Sequence, residues 1–437
     1  MTAEAHQDRV KMYDAQFAAD PAGVYEMLRS RYGDYAPVEL VPGVSATLVL
    51  GYDAALEVLR DPVTFPKDPR RWQQTVPPDC PALPIMGYRP NVLYTDGDTH
   101  ARFRKAIVDA FGRVDAVALR AYVEQSADVL IDGFAADGEA DLCARYSGRL
   151  PILVFNRIFG SPPDIADRIM QAIIGIAELV DVENASAMLT RGVEDLISLK
   201  RAAPGADVIS WMIEHPARLT DEELTDQISL LVGKGIAPIH NLIANALSLL
   251  LSDGRFGGDL SGGSLPVEDA LDEVLWTDPP IVNFGFTYPV RNVERAGYVM
   301  PADQPVAIAY KAVNTDPSKN TGQRVGNRAH LAFSAGAHTC PAKNPARLIA
   351  SIAIEKLLDR LPDLDLAVSA DKLQWRPGPF HRALASLPVR FAPAAVLIPT
   401  LVPAPRFSAP PPPTPQQFHA ESGDSSLWSR LTSWWSV

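Results

Sequence analysis

Cys340 stands directly before Pro341, at the start of a helix that the residue pattern predicts over 341–360. Proline suits a first helical turn, because the amide hydrogen it lacks has no helical partner there. A sulfur at this place meets unpaired backbone N–H groups and the positive end of the helix dipole, and both favour the thiolate. Such a thiolate serves as a nucleophile, a redox thiol or a metal ligand. Taken alone, the same cysteine also reads as a packed, small apolar residue. Gly336, four positions earlier, permits a tight turn and the close approach of a flat ligand. His100 and Arg104 lie four apart on a predicted helix over 98–112, so they share one face. By itself, such a pair is ordinarily a solvated surface.

The spacing of the whole stretch narrows these alternatives. Phe333-x-x-Gly336-x-His338-x-Cys340-x-Ala342 resembles the haem-binding loop of the cytochrome P450 family. The segment Asp96 to Arg104 is similar to that family's third-helix signature, and Asn314-Thr315-Asp316-Pro317 resembles the turn that precedes the haem loop. Trp375 to Pro379 and Leu387 to Phe391 are similar to its closing hairpin. The resemblance covers roughly residues 5–391 and points to the soluble bacterial type. It implies that Cys340 is the axial ligand of the iron of haem b, donating electron density to the metal. It also implies that His338, His100 and Arg104 meet the haem propionates, that Phe333 shields the sulfur, and that Gly336 belongs to the cofactor-binding loop.

The activity so implied is that of a monooxygenase, which inserts one oxygen atom from dioxygen into a small organic substrate. Its electrons would come from a small acidic ferredoxin served by a ferredoxin reductase. Arg102, Arg104, Lys105, Arg113, Lys343 and Arg347 fall on the two helices expected to face that partner, although solvated helix is an equal reading.

Two stretches depart from the family pattern. Where the long helix should carry an acid and a threonine over the haem, Gly233 to Asn241 holds no Asp, Glu, Ser or Thr, and Pro238 takes the threonine's place. Protons would then come from water, the substrate or His240. The family's Glu-x-x-Arg reads Glu273-Val274-Leu275-Trp276, which removes the usual cation beside Glu273 and makes Arg324 its candidate partner. These losses keep two alternatives open: a peroxide-using haem enzyme, and a degenerate haem-binding regulatory or partner-binding protein. A propionate-binding arginine is also absent from the strand after that helix, where Thr287 stands, with Arg291 four residues on.

The elements that would position these residues are mostly helical. Amphipathic periodicity predicts helices over 21–31, 52–60, 98–112, 116–136, 139–160, 163–200, 221–251, 266–277 and 341–360. Thr99 is the expected N-cap of the 98–112 helix, and Thr220 with Glu223 forms the capping pattern of the longest one. Short strands fit 287–290, 296–300, 304–310, 374–376 and 384–391. The expected architecture is mainly α with small β-sheets, the cytochrome P450 fold as one large haem domain over 1–391. Residues 392–425 read as a proline-rich linker, and 426–437 as a tryptophan-rich helix that docks either a protein partner or its own domain.

Composition sets the outer limits. The chain has 437 residues with 52 acidic and 40 basic side chains, a net charge of −12, and three cysteines. An apolar share of 47% supports a large core and excludes a disulfide scaffold, while three scattered cysteines exclude a cysteine-based zinc ribbon. The acidic balance argues against nucleic acid as a partner. No signal-peptide core opens the chain and no uninterrupted apolar run reaches membrane-spanning length, so the expectation is a cytoplasmic protein with no transmembrane segment.

Overall fold

The computed structural model describes residues 9–178, 181–254, 265–319, 324 and 326–397. The predicted docking helix 426–437 and all but the first residues of the linker lie outside these. Within them, residues 392–397 run without regular structure along the domain. Ala394 N–H donates to Ala135 O and Leu397 N–H to Asp132 Oδ1.

The strands are β1 (Val10–Lys11), β2 (Tyr35–Val41), β3 (Val44–Val49), β4 (Glu139–Asp141), β5 (Asn283–Thr287), β6 (Val293–Arg295), β7 (Tyr298–Met300), β8 (Val306–Ala309), β9 (Asp365–Leu366) and β10 (Pro388–Arg390). Five form one sheet in the order β1-β2-β3-β8-β5, with β3 parallel to β8 and antiparallel to β2. Small sheets β4-β10-β9 and β6-β7 flank it. The β2–β3 hairpin was not expected, although Tyr35 to Val49 is rich in β-branched and aromatic residues. Its two faces enter different apolar clusters. Val38, Leu40, Ala46 and Leu48 pack with Trp72 and Phe286, while Tyr35 and Val49 pack with Phe65 and Ile308. Burial on both faces blurs the alternation that marks a strand.

The longer helices are α1 (Pro21–Tyr32), α2 (Tyr52–Arg60), α3 (Gly97–Gly112), α4 (Ala116–Asp132), α5 (Leu150–Ile158), α6 (Pro163–Glu178), α7 (Val182–Ala202), α8 (Asp221–Ser252), α9 (Leu265–Thr277) and α10 (Lys343–Arg360). Two predicted helices are divided. The 139–160 stretch gives strand β4, a wide turn over Cys143–Ser147 and then α5, while 163–200 gives α6 and α7. The α3 N-cap is Asp96, not Thr99, and its carboxylate does not cap the helix. Instead it accepts the Lys67 N–H at 2.6 Å.

Helix α8 runs through the middle of the largest core cluster. Val232, Ile236, Ile239 and Ile243 meet Val154, Phe155 and Ile158 of α5, and Ile349 and Ile352 of α10. It starts on the expected capping box: Thr220 Oγ1 accepts the Glu223 N–H, and Glu223 accepts the Thr220 N–H. It is also long and apolar enough to cross a membrane, but most of its apolar window is buried inside the fold, as in a core helix.

Candidate active site

The loop from Leu331 to Ala342 hangs between the sheet and α10. Asn314 anchors its start: its carboxamide oxygen accepts the Leu331 N–H at 2.7 Å, and its amide donates to Leu275 O of α9 at 2.9 Å. The loop folds back at Gly336, where φ is +70°. A Cβ at Gly336 would run into the carbonyl of Leu59 at the end of α2, so only glycine permits both the turn and the approach. The Cys340 N–H then donates to Phe333 O at 2.9 Å, which closes the loop and fixes the sulfur beside the Phe333 backbone.

Cys340 lines a cavity of about 250 Å³. Phe333, Pro341, Ala346 and Ile349 stand on its own side, with Leu230, Gly235, Pro238, Ile239 and Leu242 of α8 across from it. His100, Arg104 and His338 stand at the rim. The three rim side chains converge from two elements. The His100 and His338 rings are 4.1 Å apart between centroids, and His338 Nε2 lies 3.4 Å from Asp96 Oδ1. His100 Nε2 is buried without a hydrogen-bond partner. Burial lowers the His100 pKa to about 4, helped by His338 and Arg104. The structure thus brings together Phe333, His338, Cys340, His100 and Arg104 on one cavity, while Gly336, also singled out in the sequence, turns the loop outside it against Leu59.

The sulfur is less acidic than its position in the chain suggested. Helix α10 begins only at Lys343, and burial pushes the Cys340 thiol up, against the Ala342 N–H, Arg104 and Lys343. A coordinated cation would take the proton off outright. Among the described residues no group of three or more His, Cys, Asp or Glu could hold a metal ion. A metal on Cys340 must therefore bring most of its own ligands. A flat apolar ring carrying iron and two carboxylates fits this cavity: a thiol on one wall, an apolar interior, and a rim of one arginine and two histidines with an unsatisfied Nε2.

One buried cation near the two histidines escaped the sequence reading. Lys67 is 5% exposed, its Nζ donates to Gly285 O at 2.8 Å, and burial lowers its pKa to about 8. Its charge reaches both His100 and His338. Thr287, which replaces the strand arginine, keeps a buried Oγ1 without a partner. No spacing rule links Lys67 to Cys340; only the fold does.

Other expectations are corrected. His240 does not line this cavity. It is 1% exposed, its Nδ1 lies 2.9 Å from Ser147 Oγ, and burial holds its pKa at about 4, so it delivers no proton to the site. Arg347 is no docking cation, since it is 9% exposed and paired to Asp272 at 2.5 Å and to Glu268 at 2.6 Å. Arg102 is paired with Glu223, and Arg104 faces the cavity. The expected partner of Glu273 is in place: Arg324 Nη1 lies 3.1 Å from Glu273 Oε1. Trp276 instead donates its Nε1–H to Asn327 O at 2.7 Å.

An outer cavity of about 790 Å³ is lined by α6, α7, the first half of α8 and the segment that holds Pro84, Arg89, Asn91 and Tyr94. It shares Leu230 and Lys234 with the inner one.

No family model matches the chain. Cytochrome P450 monooxygenase PikC of Streptomyces venezuelae is 33% identical over 389 residues, which are 86% of this chain and 92% of that protein. Cytochrome P450 107B1 of Saccharopolyspora erythraea is 30% identical over 86% of this chain and 96% of its own. Among solved structures, CYP154C4 from Streptomyces sp. W2061 superposes with a TM-score of 0.77 at 26% identity, covering 88% of this chain and 98% of that one.

Proposed function

The chain belongs to the cytochrome P450 family, and on that premise we propose that it binds haem b through Cys340 and uses it to oxygenate a small organic molecule. The observation that carries this reading is the Cys340 thiol on an apolar cavity whose rim holds His100, Arg104 and His338. When bound, the haem supplies the redox chemistry with dioxygen that is common to monooxygenases of the family.

The protein's own residues have four tasks. Cys340 would ligate the iron, and its N–H bond to Phe333 O would hold the sulfur in place. Arg104, His100 and His338 hold the two propionates, with Lys67 adding charge behind them. Helix α8 forms the cavity wall across from Cys340, where Gly235 brings the backbone close to Phe155: a Cβ there would meet the Phe155 ring. Water or substrate is the proposed proton source, since the residues α8 turns to the cavity carry neither carboxyl nor hydroxyl, Lys234 being the titratable one among them, and His240 faces away.

The proposed electron donor is a ferredoxin, docking on the exposed cations Lys105, Arg113 and Lys343. The carbon monoxide difference spectrum of the reduced, purified protein tests the core of this reading. The thiolate-type band is expected in the wild type and should vanish in Cys340→His. A wild type that binds no haem sinks the idea. Pro238 favours one variant, direct use of peroxide, because it replaces the family's proton-delivering alcohol at the cavity wall. Turnover with peroxide and no reductase would establish that route.

A further inference from the structure

Lys234 places an amine on the wall between the two cavities. It lines both, one turn before Pro238 and so about 6 Å from it along the helix axis. Its Nζ lies 4.5 Å from the centroid of the Phe284 ring. Several titratable groups face it. Arg89 stands on the outer-cavity wall and adds its positive charge to the effect of burial, which lowers the Lys234 pKa well below its ordinary value. His381, from the closing hairpin, feels the lysine's charge, and its Nδ1 is buried without a hydrogen-bond partner. Asp226 lies on α8 itself, about 12 Å back along the axis at the ordinary rise per residue. Asp221 and Glu222 belong to the first turn, farther still. Glu194 of α7 also lines the outer cavity, so its carboxylates come from α7 and the first turns of α8, and its cations are Arg89 and Lys234.

We propose that Lys234 determines specificity and that the substrate is an organic acid. Its carboxylate is held at Lys234 Nζ near His381, and its apolar body reaches from there into the inner cavity. Burial and Arg89 disfavour the Lys234 ammonium by itself, whereas a bound acid brings a carboxylate that stabilises it and accepts a charge-assisted hydrogen bond from Nζ. A neutral ester of the same shape offers neither. This inference rests on the reading of the inner cavity as a haem site.

Haem-loaded full-length protein is titrated, by absorption spectroscopy and by calorimetry, with 1-naphthoate and decanoate and with the methyl ester of each. At least one acid should bind tenfold or more tightly than its ester. Lys234→Met should erase that preference by weakening the acid at least tenfold while leaving the ester within twofold, and Lys234→Arg should keep it. Equal binding of both acids and their esters by the wild type, or a preference that survives Lys234→Met, overturns the proposal. The carbon monoxide spectrum, recorded on the same samples, separates the two readings. A normal thiolate band with no acid preference removes only the role of Lys234, whereas a missing wild-type band removes the haem site beneath it.

Discussion

Around Glu273 and Trp276 the charges have been redistributed between two arginines. Arg324 comes to Glu273 from the segment before the haem loop, while Arg347 of α10 sits between Asp272 and Glu268 of α9. The two pairs differ in burial. The Arg347 and Asp272 side chains are 11% and 3% exposed, those of Arg324 and Glu273 25% and 16%. Breaking the drier pair leaves a buried carboxylate, so Arg347→Ala should cost about 3–5 kcal/mol. Arg324→Ala should cost about 1 kcal/mol or less, because water screens the carboxylate left behind. Urea unfolding of both variants checks the order; a larger loss in Arg324→Ala would contradict it. His240 gives a pH signature. Its pKa falls from 6.5 to about 4 on folding, so the unfolded chain binds the extra proton and stability rises with pH across that window. The contribution is complete above about pH 6.5 and lost as pH falls towards 4, on the order of 3 kcal/mol. His240→Gln should flatten the decline between these limits, as followed by thermal unfolding at a series of pH values.

At the scale of elements, the haem loop depends on contacts between parts distant in sequence. Gly336 packs against Leu59 O of α2, and Asn314 ties Leu331 to α9. Gly336→Ala meets both a positive φ and a backbone oxygen, neither of which yields easily. The variant should fold its α8 core yet lose haem at least several-fold faster than wild type, measured by transfer to apomyoglobin. Unchanged haem retention would show that the loop has slack. Helix α8 shows the opposite economy. Pro238 removes one helical hydrogen bond, at a cost of up to about 3 kcal/mol in an isolated interior, yet the helix continues to Ser252 because α5, α9 and α10 pack around it.

For the whole molecule, a net charge of −12 does not describe the face proposed for a ferredoxin. With Arg347 buried, and Arg102 and Arg104 engaged elsewhere, Lys105, Arg113 and Lys343 remain exposed, and Lys105 is shared with Asp109 at 2.7 Å. Three exposed cations predict a moderate salt effect. Raising ionic strength from low to physiological should slow reduction by ferredoxin several-fold, and the Lys343→Glu variant should be slower still at low salt. Reduction indifferent to salt would place the donor elsewhere. The 392–397 segment, bonded to Ala135 and Asp132, keeps to the domain that precedes it.

Cys340 and its loop were legible because they form a short pattern at fixed spacing, and the structure sets Phe333, His338 and Cys340 of that pattern on one cavity. The fold class was legible because helical periodicity repeats along most of the chain, and the α8 capping box because it is a four-residue pattern. Other features depend on side chains brought together from far apart. Lys67 bonds Gly285 of β5 and brings its charge near His100 and His338, Arg347 turns inward to α9, His240 points to Ser147 instead of the cavity, and Lys234 lines both cavities. A helical sequence gives the angle between its residues but not the direction of the helix in the core. The sequence by itself determined that Cys340 sits in a short patterned loop before a helix; tertiary packing decided which charges surround its sulfur, because burial and long-range proximity, not spacing, set their pKa values and partners.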